Sequence, residues 1–74
     1  MIKELDTVVL TESLPEVGLE PGDVGCVVLV HAGGGGYEIE FVTLTGETVS
    51  VVTVPATAVR AAQPKEIAHA RIVA

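Results

Sequence analysis

Two segments of this chain carry most of the information about its fold: Pro21-Gly22-Asp23-Val24-Gly25-Cys26-Val27-Val28-Leu29-Val30 and Tyr37-Glu38-Ile39-Glu40-Phe41-Val42. The first predicts a turn and an apolar, twisted strand. The second alternates, with three hydrophobic side chains on one face and Glu38 and Glu40 on the other, which predicts a half-buried strand. Residues 33–36 between them are all glycine and accept positive φ without steric cost. Together these parts are typical of the centre of a very small β-barrel.

Turn signals divide the rest of the chain into further short strands. The five predicted strands are Thr7–Leu10, Val24–His31, Tyr37–Val42, Glu47–Val54 and Val59–Ala61. Pro55 ends the fourth, because proline cannot donate a hydrogen bond to a ladder, and residues 55–58 could form one helical turn. Residues 11–22 predict a long loop whose leucines and valine tuck against the barrel. Five short strands with turns between them favour a small barrel or a sandwich.

The second predicted strand is apolar on both of its faces. Val24, Cys26 and Val28 share one parity, and Val27 and Leu29 share the other. We therefore expect both faces to be covered, one by the barrel core and the other by a loop or a second subunit.

The C-terminal tail, residues 63–74, allows three interpretations. Pro64 suits a first helical turn, so the residues after it could form a short helix. The same residues also alternate in hydrophobicity, which suits an extra strand that pairs with another subunit. The third interpretation is a frayed, disordered tail. We place the barrel at residues 1–62 and leave the three interpretations of the tail open.

Length and composition set bounds on the kind of protein. Seventy-four residues form one domain with a thin stability margin, and 49% of them are hydrophobic. A single cysteine cannot form an internal disulfide, which suits a reducing compartment. No apolar run approaches the ~18 residues of a membrane span, and the N-terminus lacks the apolar core of a signal peptide. We expect a cytoplasmic protein that does not enter a membrane.

Charge is distributed unevenly along the chain. The net charge is −6, and residues 1–50 hold nine acidic side chains and one basic one, Lys3. An acidic surface repels phosphate backbones, so we expect no nucleic-acid partner.

Candidate chemistry is sparse, and we predict no catalytic, cofactor-binding or metal-binding residue and no small-molecule substrate. Cys26 and His31 are the only possible thiol–base pair, and their spacing of five on one strand predicts opposite faces. The four glycines lack the Gly-Lys-Ser/Thr ending of a phosphate loop. Glu38 and Glu40 are expected to lie on a solvated face. Residues 22–25, Gly-Asp-Val-Gly, form the most defined motif, and its predicted role is a structural turn.

The order of several motifs resembles a family of short bacterial proteins with a domain of unknown function. They are Leu5-Asp6-Thr7-Val8-Val9-Leu10, Leu14-Pro15, Gly18-Leu19, Gly22-Asp23-Val24-Gly25, Tyr37-Glu38-Ile39-Glu40-Phe41 and Gly46-Glu47-Thr48. The resemblance covers roughly residues 4–62 by direct comparison of these motifs. It implies an SH3-like barrel, a position near toxin-like genes for some members, and no catalytic residues.

Two further resemblances are looser. The Gly-Asp-x-Gly-x-Val pattern followed by Tyr-x-Val/Ile-x-Phe is similar to the SH3-like domain of the nitrile hydratase β subunit and, more loosely, to the KOW motif of ribosomal and transcription proteins. KOW modules use basic residues for RNA, which are missing here, and the tryptophans of a proline-peptide groove are missing too. The predicted fold class is accordingly all-β, a small five-stranded SH3-like barrel with a short C-terminal extension.

From this sequence we expect a non-catalytic barrel that binds a protein or a second copy of itself. One version is an immunity or antitoxin-like role, in which an acidic face covers a basic toxin surface. An alternative is an accessory subunit or chaperone of a metalloenzyme, by analogy to the nitrile hydratase β subunit. A KOW-like RNA-binding module is a second alternative, which the charge disfavours.

Overall fold

A computed structural model describes residues 1–73 and shows five antiparallel strands in one sheet. The strands are β1 (Thr7–Leu10), β2 (Val24–Val30), β3 (Gly36–Val42), β4 (Thr48–Pro55) and β5 (Val59–Ala61). Their order across the sheet is β4-β3-β2-β1-β5. The predicted all-β class is confirmed, and each strand begins and ends within one residue of its predicted bounds. A single turn of 3-10 helix, Ala56–Ala58, joins β4 to β5 at the opposite edge, so the sheet curls around its core.

The core is built from the inward side chains of all five strands. Its members are Val8, Leu10, Leu19, Val27, Tyr37, Ile39, Phe41, Val54, Ala58 and Val59. The hydrophobic face predicted for β3 is therefore buried as a whole. The loop of residues 11–22 also packs as predicted, because Leu19 joins the core while Leu14 and Val17 pack against it. A valine-rich core with one tyrosine and one phenylalanine closes this barrel.

Two glycines near the start of β2, Gly22 in the turn and Gly25 in the strand, are required for different physical reasons. Gly22 adopts φ = 95°, a conformation that side chains disfavour, so the turn needs glycine there. Gly25 is needed for space, because a Cβ at this position would lie 2.5 Å from Ile39 Cγ2. The prediction of a bulge or a close approach at Gly25 is thus resolved as a close approach. The bulge lies further along, between Val27 and Leu29.

The prediction that both faces of β2 are covered is not met within residues 1–73. Val24, Val28 and Leu29 are 38%, 41% and 48% exposed, and no loop of the described chain buries them. The bulge contributes, because it turns two consecutive apolar side chains toward solvent. Coverage by a second subunit stays a prediction.

The tail forms neither a helix nor a strand over residues 63–73. The short helix is therefore wrong for the described residues, and no strand forms in the tail as far as Val73. The segment lies on the barrel surface in an irregular conformation, and Ala74 lies outside the described residues. Residues 1–73 also hold no helix with the length and hydropathy that a bilayer crossing requires.

Candidate functional site

The cysteine and histidine singled out in the sequence do not form a catalytic pair. The Cys26 thiol lies 3.8 Å from the carbonyl oxygen of Val27, whereas His31 Nε2 hydrogen-bonds to Glu38 Oε2 at 2.7 Å. The prediction that they point to opposite faces is wrong. Cys26 pairs with Glu40 on β3, and His31 reaches Glu38 on the same face. The bulge in β2 shifts the alternation by one residue, which spacing alone does not reveal.

The two carboxylates of β3 are fixed by partners on the neighbouring strand. Thr53 Oγ1 donates to Glu38 Oε2 at 2.5 Å, and Thr48 Oγ1 donates to Glu40 Oε2 at 2.7 Å. The hydrogen bond from Thr53, followed by that from His31, lowers the pKa of Glu38 below its ordinary value. At neutral pH Glu38 is therefore ionised and holds no proton to donate, so it supplies a fixed negative charge.

An apolar strip runs beside these carboxylates on the outer face of the sheet. We call Val24, Cys26 and Val42 the outer strip. Val24 and Val42 are 38% and 51% exposed. Cys26 pairs with Glu40, so the strip crosses β2 and β3 and ends at that carboxylate. A shallow depression of about 190 Å³ opens between β2 and β3 within it.

A larger groove lies where the tail passes the barrel. Its volume is about 480 Å³. The barrel side is formed by residues of β2, β3 and the 43–45 turn, among them Val24, Phe41 and Leu44, and the other side by residues 68–73 of the tail. The tail therefore forms one wall of the groove. The groove also includes Val24, which belongs to the outer strip.

One arginine fastens the far end of the tail to the turn before β2. Arg71 Nε and Nη2 donate to the two carboxylate oxygens of Asp23 at 2.8 and 2.5 Å, and Nη2 also donates to the carbonyl oxygen of Gly18 at 2.9 Å. Asp23 accepts a further bond from the backbone N–H of Glu20 at 2.8 Å. These bonds, with Arg71 first, lower the pKa of Asp23. The predicted structural turn therefore also anchors the tail.

A second pair fastens the near end of the tail. Arg60 on β5 donates through both terminal nitrogens to the carboxylate of Glu66, with Nη1 at 2.9 Å from Oε1. The backbone N–H of Gln63 donates to the same carboxylate at 2.8 Å. These bonds lower the pKa of Glu66 to about 2.

Acidification is expected to release the tail from the barrel. Glu66 and Asp23 both have lower pKa values in the folded chain than in the unfolded chain. Their stabilising effect is therefore complete above the unfolded values of 4.5 and 3.8 and is lost as the pH falls through the folded values. The backbone amide signals of residues 65–73, followed by NMR from about pH 6 to pH 1, should move toward random-coil values.

The variant Glu66→Gln serves as the control for this titration. This variant removes the carboxylate of the near anchor. The pH-dependent change in the amide signals of residues 63–67 should therefore disappear. Tail signals that stay constant down to about pH 1 in a folded barrel would contradict the two anchors.

Within residues 1–73 no three His, Cys, Asp or Glu side chains cluster as metal ligands would. The residues brought together on the outer face are exposed valines beside the carboxylates of Glu38 and Glu40.

Comparison with known proteins adds a family match. The family described as Domain of unknown function (DUF4926) matches residues 4–61, which is most of the chain. No curated protein and no solved structure matches. The matched residues include all five strands and end where the tail begins to leave the sheet.

Proposed function

We propose that this chain, which belongs to the DUF4926 family, is an SH3-like barrel that binds a protein partner through its outer face and has no catalytic activity. The observation that carries the proposal is the outer strip. Val24 and Val42, at 38% and 51% exposure, lie together with Cys26 on one face of the sheet. Contiguous exposed apolar surface rimmed by polar groups is typical of a protein-binding site.

The charges around the outer strip favour a basic partner. Glu40 borders the strip, and Glu38 lies two residues away on the same strand face, ionised and held by Thr53. Residues 1–50 carry nine acidic side chains and one basic one. Such a surface speeds the encounter with a positively charged protein and disfavours acidic ones. An immunity or antitoxin-like role, with a basic toxin as the partner, suits this chemistry.

Substitution of the outer strip tests the proposal. Val42→Lys and Val24→Lys are each expected to weaken partner binding at least about tenfold, because each places a positive charge in the apolar part of the contact, where it faces a basic partner. The measurement is capture of the partner from the native organism, identification by mass spectrometry, and titration of the purified pair. Affinity should also fall as salt is raised, since the charges are opposite.

Ser13→Lys is the matched control, because Ser13 is exposed on the 11–22 loop and the charge change is the same. Equal loss of binding in Ser13→Lys and Val42→Lys would reject the outer strip as the site. A captured partner that is a metalloenzyme subunit would instead favour the accessory-subunit hypothesis, and a captured RNA would favour the KOW-like one.

A further inference from the structure

The two edges of the sheet are protected very differently. The β5 edge is three residues long, and the chain leaves it through Gln63 and Pro64 beneath the Arg60–Glu66 ion pair. Short length, proline and charge are the usual means of preventing edge-to-edge pairing. The β4 edge is eight residues long, Thr48–Pro55, with the sequence TVSVVTVP. It holds no charged residue, and within residues 1–73 no strand pairs with its outer side.

The hydrogen-bond pattern shows which backbone groups of β4 face away from the sheet. Ala56 N–H donates to Gly35 C=O, and His31 N–H donates to Gly36 C=O, so Gly36 directs its carbonyl toward β2 and not toward β4. Hydrogen-bonded pairs alternate along an antiparallel ladder. Val54 and Val52, paired with Tyr37 and Ile39, therefore bond to β3.

Val51 and Thr53 lie between these bonded pairs, so their N–H and C=O groups point outward. No backbone hydrogen bond from another segment of residues 1–73 reaches them. The side chains on both sides of this edge are apolar or neutral. Val51 on the outer side is 56% exposed, and Val52 on the core side is only partly buried although its ladder partner Ile39 is fully buried. A strand added here would cover both valines.

We propose that the β4 edge pairs antiparallel with the β4 edge of a second copy of this chain. Pairing Val51 with Thr53 of the second copy, about a two-fold axis at Val52, satisfies the outward N–H and C=O groups of both residues on both chains. A two-fold contact needs a self-complementary surface, and a neutral strand meets its own copy without opposing like charges.

The carboxylates nearest to this contact do not prevent it. Glu38 and Glu40 lie one strand inside the edge and are bonded to Thr53 and Thr48. Across the two-fold axis they lie about three strand spacings from their copies, roughly 14 Å, which exceeds the screening length of about 8 Å at physiological salt. A domain of this size commonly gains stability from a subunit contact when it has no disulfide or metal.

Sedimentation equilibrium of the full 74-residue chain tests the pairing. The wild-type chain is expected to sediment at twice its 7.6 kDa mass. Val51→Pro removes an outward N–H without removing a bond to β3, since proline is tolerated at such edge positions. Two N–H groups are lost in the symmetric dimer, so the dissociation constant should rise about a hundredfold. Val51→Thr keeps the N–H and is the matched control, expected to remain dimeric.

Val51→Lys is a second edge variant, which keeps the test decisive if Val51→Pro does not fold. A monomeric wild-type chain at concentrations up to about 1 mM, a threshold for weak association, would overturn the proposal. So would a dimer that persists in both edge variants, or one that is lost only in Val24→Lys, because that result would place the contact on the outer strip.

Salt separates this inference from the proposed function. Each chain carries a net charge of −6, so screening should tighten the pairing of two copies as salt rises. Binding of a basic partner should weaken under the same change. Loss of the dimer in Val51→Pro with partner binding retained would leave the proposed function standing, and the opposite result would leave the edge pairing standing.

Discussion

Gly25→Ala is expected to lower the free energy of unfolding by about 1–3 kcal/mol, and Gly25→Val by more. A Cβ at this position would lie 2.5 Å from Ile39 Cγ2 and 2.9 Å from Phe41 Cε1. Both neighbours are buried core side chains, at 0% and 2% exposure, so neither can turn toward solvent to make room. A 74-residue domain has a total stability of only about 4–11 kcal/mol, so the valine variant should be largely unfolded near body temperature.

Urea unfolding followed by circular dichroism measures this change. Gly35→Ala is the matched control, because Gly35 has φ = −80° and a Cβ there meets nothing within 4 Å. That variant should be neutral or slightly stabilising, by up to about 1 kcal/mol. Combining Gly25→Ala with Ile39→Ala should cost less than the sum of the single changes, since the second removes the closest atom of the overlap. Additive costs, or equal effects at Gly25 and Gly35, would reject a steric role for Gly25.

Most of the fold could be predicted from the sequence, because the patterns that indicate its strands and turns are local. Alternation in β3, the glycine turn before β2 and the proline at the end of β4 each depend on neighbours in the chain, and all three strands begin and end within one residue of the predictions. The role of Gly25 could be predicted only in part from the sequence. A glycine near a strand start indicates a bulge or a close approach, and the choice depends on Phe41 and Ile39, which lie across the sheet.

The candidate site was less accessible, because it depends on the bulge in β2. That irregularity places Cys26 and His31 on one face and exposes Val28 and Leu29 together. No turn residue marks it in the sequence. The position of the tail could not be predicted for a related reason. It is set by contacts between residues far apart in the chain, such as the ion pair of Arg71 with Asp23, 48 positions away. Hydrophobic periodicity reports only contacts along one element. The sequence signal for this contact is the charge distribution: the tail carries basic residues, whereas residues 1–50 are rich in acidic ones.

Asp23→Ala is expected to lower the free energy of unfolding by about 2 kcal/mol and to detach residues 68–73 from the barrel. Its carboxylate accepts two bonds from Arg71 and one from the N–H of Glu20, so the substitution leaves three donors without their partner. The Asp23 side chain is 18% exposed and that of Arg71 is 27% exposed, so water replaces part of the lost bonding and moderates the cost.

Three variants separate the two roles of this carboxylate. Asp23→Asn keeps an oxygen for the N–H of Glu20 and loses the charge that faces Arg71, so it should detach the tail at a smaller cost in stability than Asp23→Ala. Arg71→Ala should also detach the tail while the turn stays intact. In a double-mutant cycle, Asp23→Ala and Arg71→Ala together should cost less than their sum by about 0.5–1 kcal/mol.

Chemical denaturation gives these stabilities, and the backbone amide chemical shifts of residues 68–73, measured by NMR, report detachment of the tail. Detachment has a structural consequence, because those residues form one wall of the 480 Å³ groove beside Val24 and Phe41. Removing that wall extends the outer strip toward Leu44, which is already 90% exposed. If Asp23→Asn and Arg71→Ala leave the amide shifts of residues 68–73 unchanged beyond the neighbours of the substituted residue, the ion pair does not hold the tail, and the barrel surface beneath it is covered by other contacts.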